Sequence, residues 1–99
     1  MGEIIFEEYH VEWDDNKNEI NKKKHGISFD DAAWVFLDEN KIDDIDELHS
    51  DDEDRYKVIG RVGKVLVVIY TERLDKFRII SARYATKKEC DKYYGQFDY

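Results

Sequence analysis

The chain has 99 residues, a formal net charge of −8, 40% charged residues and no proline. That length holds one domain around one modest core and leaves no room for a second, and 41% apolar content excludes a wholly disordered polypeptide. One cysteine, Cys90, excludes an internal disulfide, and the longest apolar run, Val65 to Tyr70, falls far short of the roughly 20 residues that span a bilayer.

The start, Met1 to Glu8, has no basic region followed by an apolar stretch, so no secretory signal is expected and the expected location is cytoplasmic. The net charge hides a division. Residues 1–53 carry five Lys/Arg against eighteen Asp/Glu, or −13, whereas residues 54–99 carry eleven against six, or +5. An acidic total argues against non-specific nucleic-acid binding over the whole surface, but it leaves room for a local basic face in the second half. The acidic half suits a basic partner.

Residues 4–13 are β-prone and partly alternating, which predicts an N-terminal strand ending at Trp13, with residues 1–10 an extension or edge strand. Asp14 or Asp15 then caps a helix to about Lys24, and Lys22, Lys23 and Lys24 in its last turn suit the helix dipole. Gly26 is placed as its left-handed stop. Ser28 starts a second helix, with Asp31 in the capping-box position and Phe29, Ala32, Ala33, Val35 and Phe36 on its core face. The acidic block 38–54 lacks the mid-loop glycine and ligand spacing of an EF-hand. It reads as a solvated loop with one short edge strand near Lys41 to Ile45, and no metal or other cofactor is expected.

Three strands follow, Arg55 to Arg61, Lys64 to Thr71 and Lys76 to Tyr84, joined by short turns that favour an antiparallel meander. The middle one is apolar at both parities, as a central strand covered on both faces must be. Val62-Gly63 is not a favoured two-residue turn, so the register across it stays open. Thr86 caps a last helix to about Tyr94, with Glu89 in the capping-box position and Gly95 as stop. The order is β-α-α-(β)-β-β-β-α, and the expected fold class is α+β, a single domain over 1–99 with an antiparallel sheet packed against helices.

No glycine-rich phosphate loop is present, and one cysteine with three scattered histidines does not make a zinc site. Arg73, Arg78 and Arg83 around one hairpin, with Arg55 and Arg61 on the strand before it, instead suit phosphodiester cleavage without metal. In that reaction the RNA 2′-hydroxyl attacks the adjacent phosphorus; the protein removes a proton, neutralises the phosphorane and protonates the leaving 5′-oxygen. Arginine fits the second task because it stays charged and its fork matches phosphate oxygens. His25, Glu53 or Tyr70 could handle protons, and only His25 has an unperturbed pKa near neutrality. Each has a plainer reading: His25 as a cation at a helix C-terminus, Tyr70 as a core tyrosine, Lys17 as a solvated helix lysine, Arg55 as a surface partner of the acidic block. Strand alternation puts Ser81 and Arg83 on one face with Phe77 and Ile79, and Arg78 on the other, unless the hairpin is bulged. By that parity Arg78 and Arg83 should not hold one phosphate together, which leaves Arg83 with Arg73 as the pair to test first.

The ordered series Trp13-Asp14-x-x-Lys17, Lys24-His25-Gly26-Ile27-Ser28-Phe29, His49 to Arg55, Gly60, Tyr70-Thr-Glu-Arg73 and Arg78-Ile-Ile-Ser-Ala-Arg83 resembles the BrnT family of type II toxin–antitoxin toxins, from about Val11 to Tyr94. The resemblance implies a RelE-like fold and a ribonuclease toxin that inhibits translation by cutting RNA. It also implies a BrnA-like antitoxin that binds and silences the toxin and supplies the contact to operator DNA. The family's polar signature falls on Lys17, His25, Glu53, Arg55, Tyr70, Arg73, Arg78, Ser81 and Arg83. From it we expect Arg73, Arg83, Tyr70 and His25 as the catalytic set, and Lys17, Arg55, Arg78 and Ser81 as RNA-binding residues. Three departures stand out: residues 1–10 precede the usual family start, Leu74 occupies a turn position where the family often has glycine, and Tyr84 replaces a second basic residue. With the net acidity, they leave an alternative in which a weak or inactive family member serves as a protein-binding module.

Overall fold

The computed structural model describes residues 1–45 and 54–97, and Glu53 and His49 lie outside them. Six strands, β1 (Gly2–Ile5), β2 (His10–Trp13), β3 (Ile42–Ile45), β4 (Tyr56–Val62), β5 (Lys64–Arg73) and β6 (Lys76–Tyr84), form one sheet in the order β1-β2-β6-β5-β4-β3. The helices are α1 (Asp15–His25), α2 (Phe29–Ala32), which tightens into a 3-10 segment over Ala33–Leu37, and α3 (Lys87–Gly95). No helix among the described residues is long and apolar enough to cross a membrane.

The caps stand where the sequence puts them. Asp14 accepts from the Lys17 amide, Ser28 from the Asp31 amide, and Thr86 and Glu89 form a reciprocal capping box. Gly26 ends α1 at φ +73°. The edge strand β3 and the antiparallel meander β4-β5-β6 are also as expected, and the register across Gly63 pairs Val62 with Lys64.

Three expectations are corrected. The N-terminal stretch is a hairpin and not one strand: β1 and β2 pair antiparallel, and the chain reverses between them. The sheet is mixed and not wholly antiparallel, because β2 runs parallel to β6. Tight turns dictate direction only within β4-β5-β6; β2 reaches its neighbour through the whole intervening chain, where a parallel approach is open. The third correction concerns β6. Ile69 pairs with Ser81 but Tyr70 pairs with Ile79, so Ile80 is an extra residue in a β-bulge. A bulge resets the two-residue alternation. Phe77 and Ile79 before it and Ala82 after it all belong to one core cluster, so Arg78, Ser81 and Arg83 share the opposite face.

The core divides accordingly. On one face Val11, Trp13, Val58, Leu66, Val68, Tyr70, Ile79 and Ala82 pack under Phe29, Ala32, Val35 and Phe36. On the other, Ile59, Val65 and Val67 pack with Tyr93 of α3, which is why β5 is apolar at both parities. The N-terminal hairpin is built into this body: a Cβ at Gly2 would lie only 2.0 Å from the Trp13 indole nitrogen, so only glycine lets Trp13 close over β1.

Candidate functional site

Beyond the apolar patch under α3, the bulged face of the sheet is ionic. Arg78, Ser81 and Arg83 project from β6; opposite them in register stand Thr71, Ile69 and Val67 of β5. Lys57 of β4 pairs with Ile69, and the Thr71 hydroxyl donates to the Asp54 carbonyl at 2.9 Å, next to Arg55.

Two of the arginines are held by carboxylates in different ways. Arg83 meets Glu89 end-on, Nη1 to Oε1 at 2.7 Å and Nη2 to Oε2 at 2.9 Å. Glu89 also accepts from the Thr86 amide at 2.9 Å, and Lys57 Nζ lies 4.0 Å away. The Arg83 bond, outweighing the cost of burial, holds the Glu89 carboxyl down to about 2, and Glu89 raises Arg83 in turn. Arg78 instead donates sideways, from Nε to Glu12 Oε2 at 2.9 Å. Lys76 Nζ lies 3.7 Å from the other Glu12 oxygen, and Arg78 Nη2 donates to the Met1 sulfur at 3.6 Å. The fork of Arg83 is therefore taken, while the distal edge of Arg78 has no oxygen acceptor among the described residues.

Arg73 ends β5 across from Lys76. It stands six residues along β5 from the position paired with Arg83, about 20 Å, but only two from the position paired with Arg78. The expected Arg73–Arg83 pair is thus at opposite ends of the hairpin, and Arg73 is the neighbour of Arg78.

A groove of about 250 Å³ runs between α1 and β6, lined by Lys17, Ile20, Asn21, Lys24, His25, Ile80 and Ser81. It brings Lys17, His25 and Ser81 together, and the bulge turns Ile80 into its wall. His25 lies in the last turn of α1, the position where a cation complements the dipole. Asn21 fixes this groove. Its side chain is bonded to Ala82 on both sides, accepting from the amide at 3.1 Å and donating to the carbonyl at 2.8 Å, and it also donates to the Ile27 carbonyl at 3.0 Å. It does for the outer edge of β6 what a neighbouring strand would do, since β2 pairs with β6 only at Phe77 and Arg78.

Tyr70 is not with the arginines. It is buried on the helix-covered face against Phe36, Tyr56 and Phe77, and its hydroxyl donates to Asp43 at 3.2 Å. Burial first, then the Asp43 carboxylate, pushes the phenol far above its usual value.

Sequence reasoning missed Glu12 and Asn21, and saw Glu89 only as a cap. Glu12 carried a signal, an acid between two core residues, Val11 and Trp13, whose side chain must therefore leave on the other face. Asn21 carried none, since a polar residue in a charged helix normally faces water.

A family model described as ribonuclease toxin, BrnT, of type II toxin–antitoxin system matches residues 13–89. Among solved structures, the 1.1 Å crystal structure of the Brucella abortus ribonuclease toxin, BrnT, is similar at TM-score 0.60 and 25% identity, covering 78% of this chain and 96% of that one. No curated protein matches.

Proposed function

On the premise that the chain belongs to the BrnT family of type II toxin–antitoxin ribonuclease toxins, we propose that it is a metal-independent endoribonuclease acting on the bulged face of its sheet. The observation that carries this reading is the bulge itself, which sets Arg78, Ser81 and Arg83 on one face beside the groove that holds His25 and Lys17. A phosphate of single-stranded RNA takes its bonds from the distal edge of Arg78 and the Ser81 hydroxyl, with Arg73 and Arg55 contributing positive field along the strand. The 2′-oxygen bonds to phosphorus as the bond to the 5′-oxygen breaks. His25 accepts the 2′-proton as general base, and water returns a proton to the leaving oxygen. Arg83, tied to Glu89, stabilises the phosphorane by its charge and not by direct contact.

A type II toxin has an antitoxin partner. In our reading that partner is BrnA-like, covers this basic face and brings the pair to operator DNA; the architecture is RelE-like, and free toxin arrests translation by cutting RNA. The purified chain in EDTA should cut a single-stranded RNA to 2′,3′-cyclic phosphate ends, and Arg78→Ala should remove that activity while the fold survives. A folded wild-type chain that leaves RNA intact at every concentration sinks the reading. It would favour the second one, a protein-binding module without cleavage, for which the pairing of both arginines with carboxylates speaks.

A further inference from the structure

Resting on the ribonuclease reading above, we infer that Glu12 is a positioning residue, holding the Arg78 guanidinium by its Nε edge so that its distal edge meets an RNA phosphate. Glu12 is only 7% exposed, too enclosed to touch substrate itself. It stands between two core residues, Val11 and Trp13, and in direct register with Arg78 across the parallel pair. Its carboxylate has no freedom to wander, because Arg78 Nε engages one oxygen and Lys76 Nζ approaches the other. What remains of the Arg78 fork is Nη1 and Nη2, whose one hydrogen-bond partner among the described residues is a thioether sulfur at 3.6 Å, a weak acceptor, while the Asp14 carboxylate lies near enough to interact with the Arg78 charge without bonding to it. A phosphate oxygen displaces the sulfur readily.

The segment that delivers Glu12 is firmly attached. The Met1 amine pairs with Asp15 at 2.7 Å, His10 is bonded to Glu3 at 2.6 Å across the hairpin, and Gly2 lies under Trp13. Residues 1–12 precede the region that the family model matches. The site is thus completed by a part of this chain outside that region.

The sign of one measurement separates positioning from plain electrostatics. Arg78, Lys76 and Glu12 together carry a net single positive charge, so removing the carboxylate makes the face more basic. Charge alone then predicts tighter RNA binding, whereas loss of a positioning group predicts weaker binding. The probe is a short single-stranded RNA made uncleavable by 2′-O-methylation, titrated by fluorescence anisotropy against the full chain. Glu12→Ala should weaken binding roughly tenfold. Glu12→Gln, whose amide oxygen still accepts from Nε, should recover part of that loss and carries the test if the alanine variant does not fold. In an Arg78→Ala background Glu12→Ala should cost nothing further. Unchanged or tighter binding by folded Glu12 variants, or an equal loss with Arg78 already absent, overturns the inference. Because the probe cannot be cut, a wild-type chain that binds it normally but leaves unmodified RNA intact refutes the ribonuclease reading alone.

Discussion

Two arginine–carboxylate pairs stand five residues apart on β6 and differ in every respect that matters for chemistry. Arg83 faces Glu89 fork to fork, so both terminal nitrogens are satisfied within the fold; Arg78 leans on Glu12 through Nε and leaves its terminal edge without an oxygen partner among the described residues. Identical residue types give one group closed within the fold and one whose terminal edge is left without an oxygen partner among the described residues. The geometry of the hydrogen bond, and not the presence of a salt bridge, separates the two.

The largest effect is expected from the residue that braces β6 at Ala82, between the two pairs. Asn21→Leu leaves the Ala82 amide and carbonyl without their partner on the outer edge of β6, which should lower unfolding free energy by about 3 kcal/mol, read by urea denaturation. A loss under about 0.5 kcal/mol would mean that the edge of β6 is satisfied some other way. Arg78→Ala should slow RNA cleavage about a hundredfold, whereas Arg83→Ala should slow it by less than about tenfold and lower stability instead. The reverse order in single-turnover rates would show that the Arg83 pair opens to receive substrate, and the comparison would collapse.

Acid sharpens the contrast further. The Glu89 carboxyl is lower in the folded chain, about 2, than its ordinary 4.5, so folding favours its ionised form. That contribution is complete above pH 4.5 and is lost as pH falls toward 2. Glu89→Gln should therefore melt about as high as wild type near pH 2 and lower at pH 7, by about 1–2 kcal/mol in unfolding free energy. A constant difference across that window would place the pair's worth in packing. The smallest effect belongs to the hairpin tip. Leu74 sits at φ +57° with 96% of its surface exposed, so Leu74→Gly relieves strain without losing contacts and should raise stability by up to about 1 kcal/mol, leaving RNA cleavage unchanged.

Most of the frame was legible. Asp14, Ser28 and Thr86 announce their helices because capping is local chemistry, and the double-sided apolar run of β5 announces a central strand. The site was legible in its members but not in their grouping. Parity counted through β6 separates Arg78 from Arg83, and one inserted residue reunites them; the adjacent apolar residues Ile79-Ile80 were the visible hint, since strict alternation does not produce such a pair beside a polar face. The partnership of β2 with β6 left no local trace at all, because no turn connects them, so the face Glu12 takes could be read but its pairing with Arg78 could not. Tyr70 was misleading for a related reason: its motif position says nothing about which side of the sheet it faces.

The mixed sheet also gives the two pairs very different loop-closure costs. Arg83 and Glu89 are 6 residues apart in the chain, whereas Arg78 and Glu12 are 66 apart. Contacts close in sequence form with little loop-closure penalty, and those that join the two ends of a chain wait for most of it to be in place. Loop closure therefore favours the Arg83–Glu89 pair early and the Arg78–Glu12 pair late. A partly folded molecule would carry the stabilising arginine already neutralised, and would acquire an aimed Arg78 only once β2 docks.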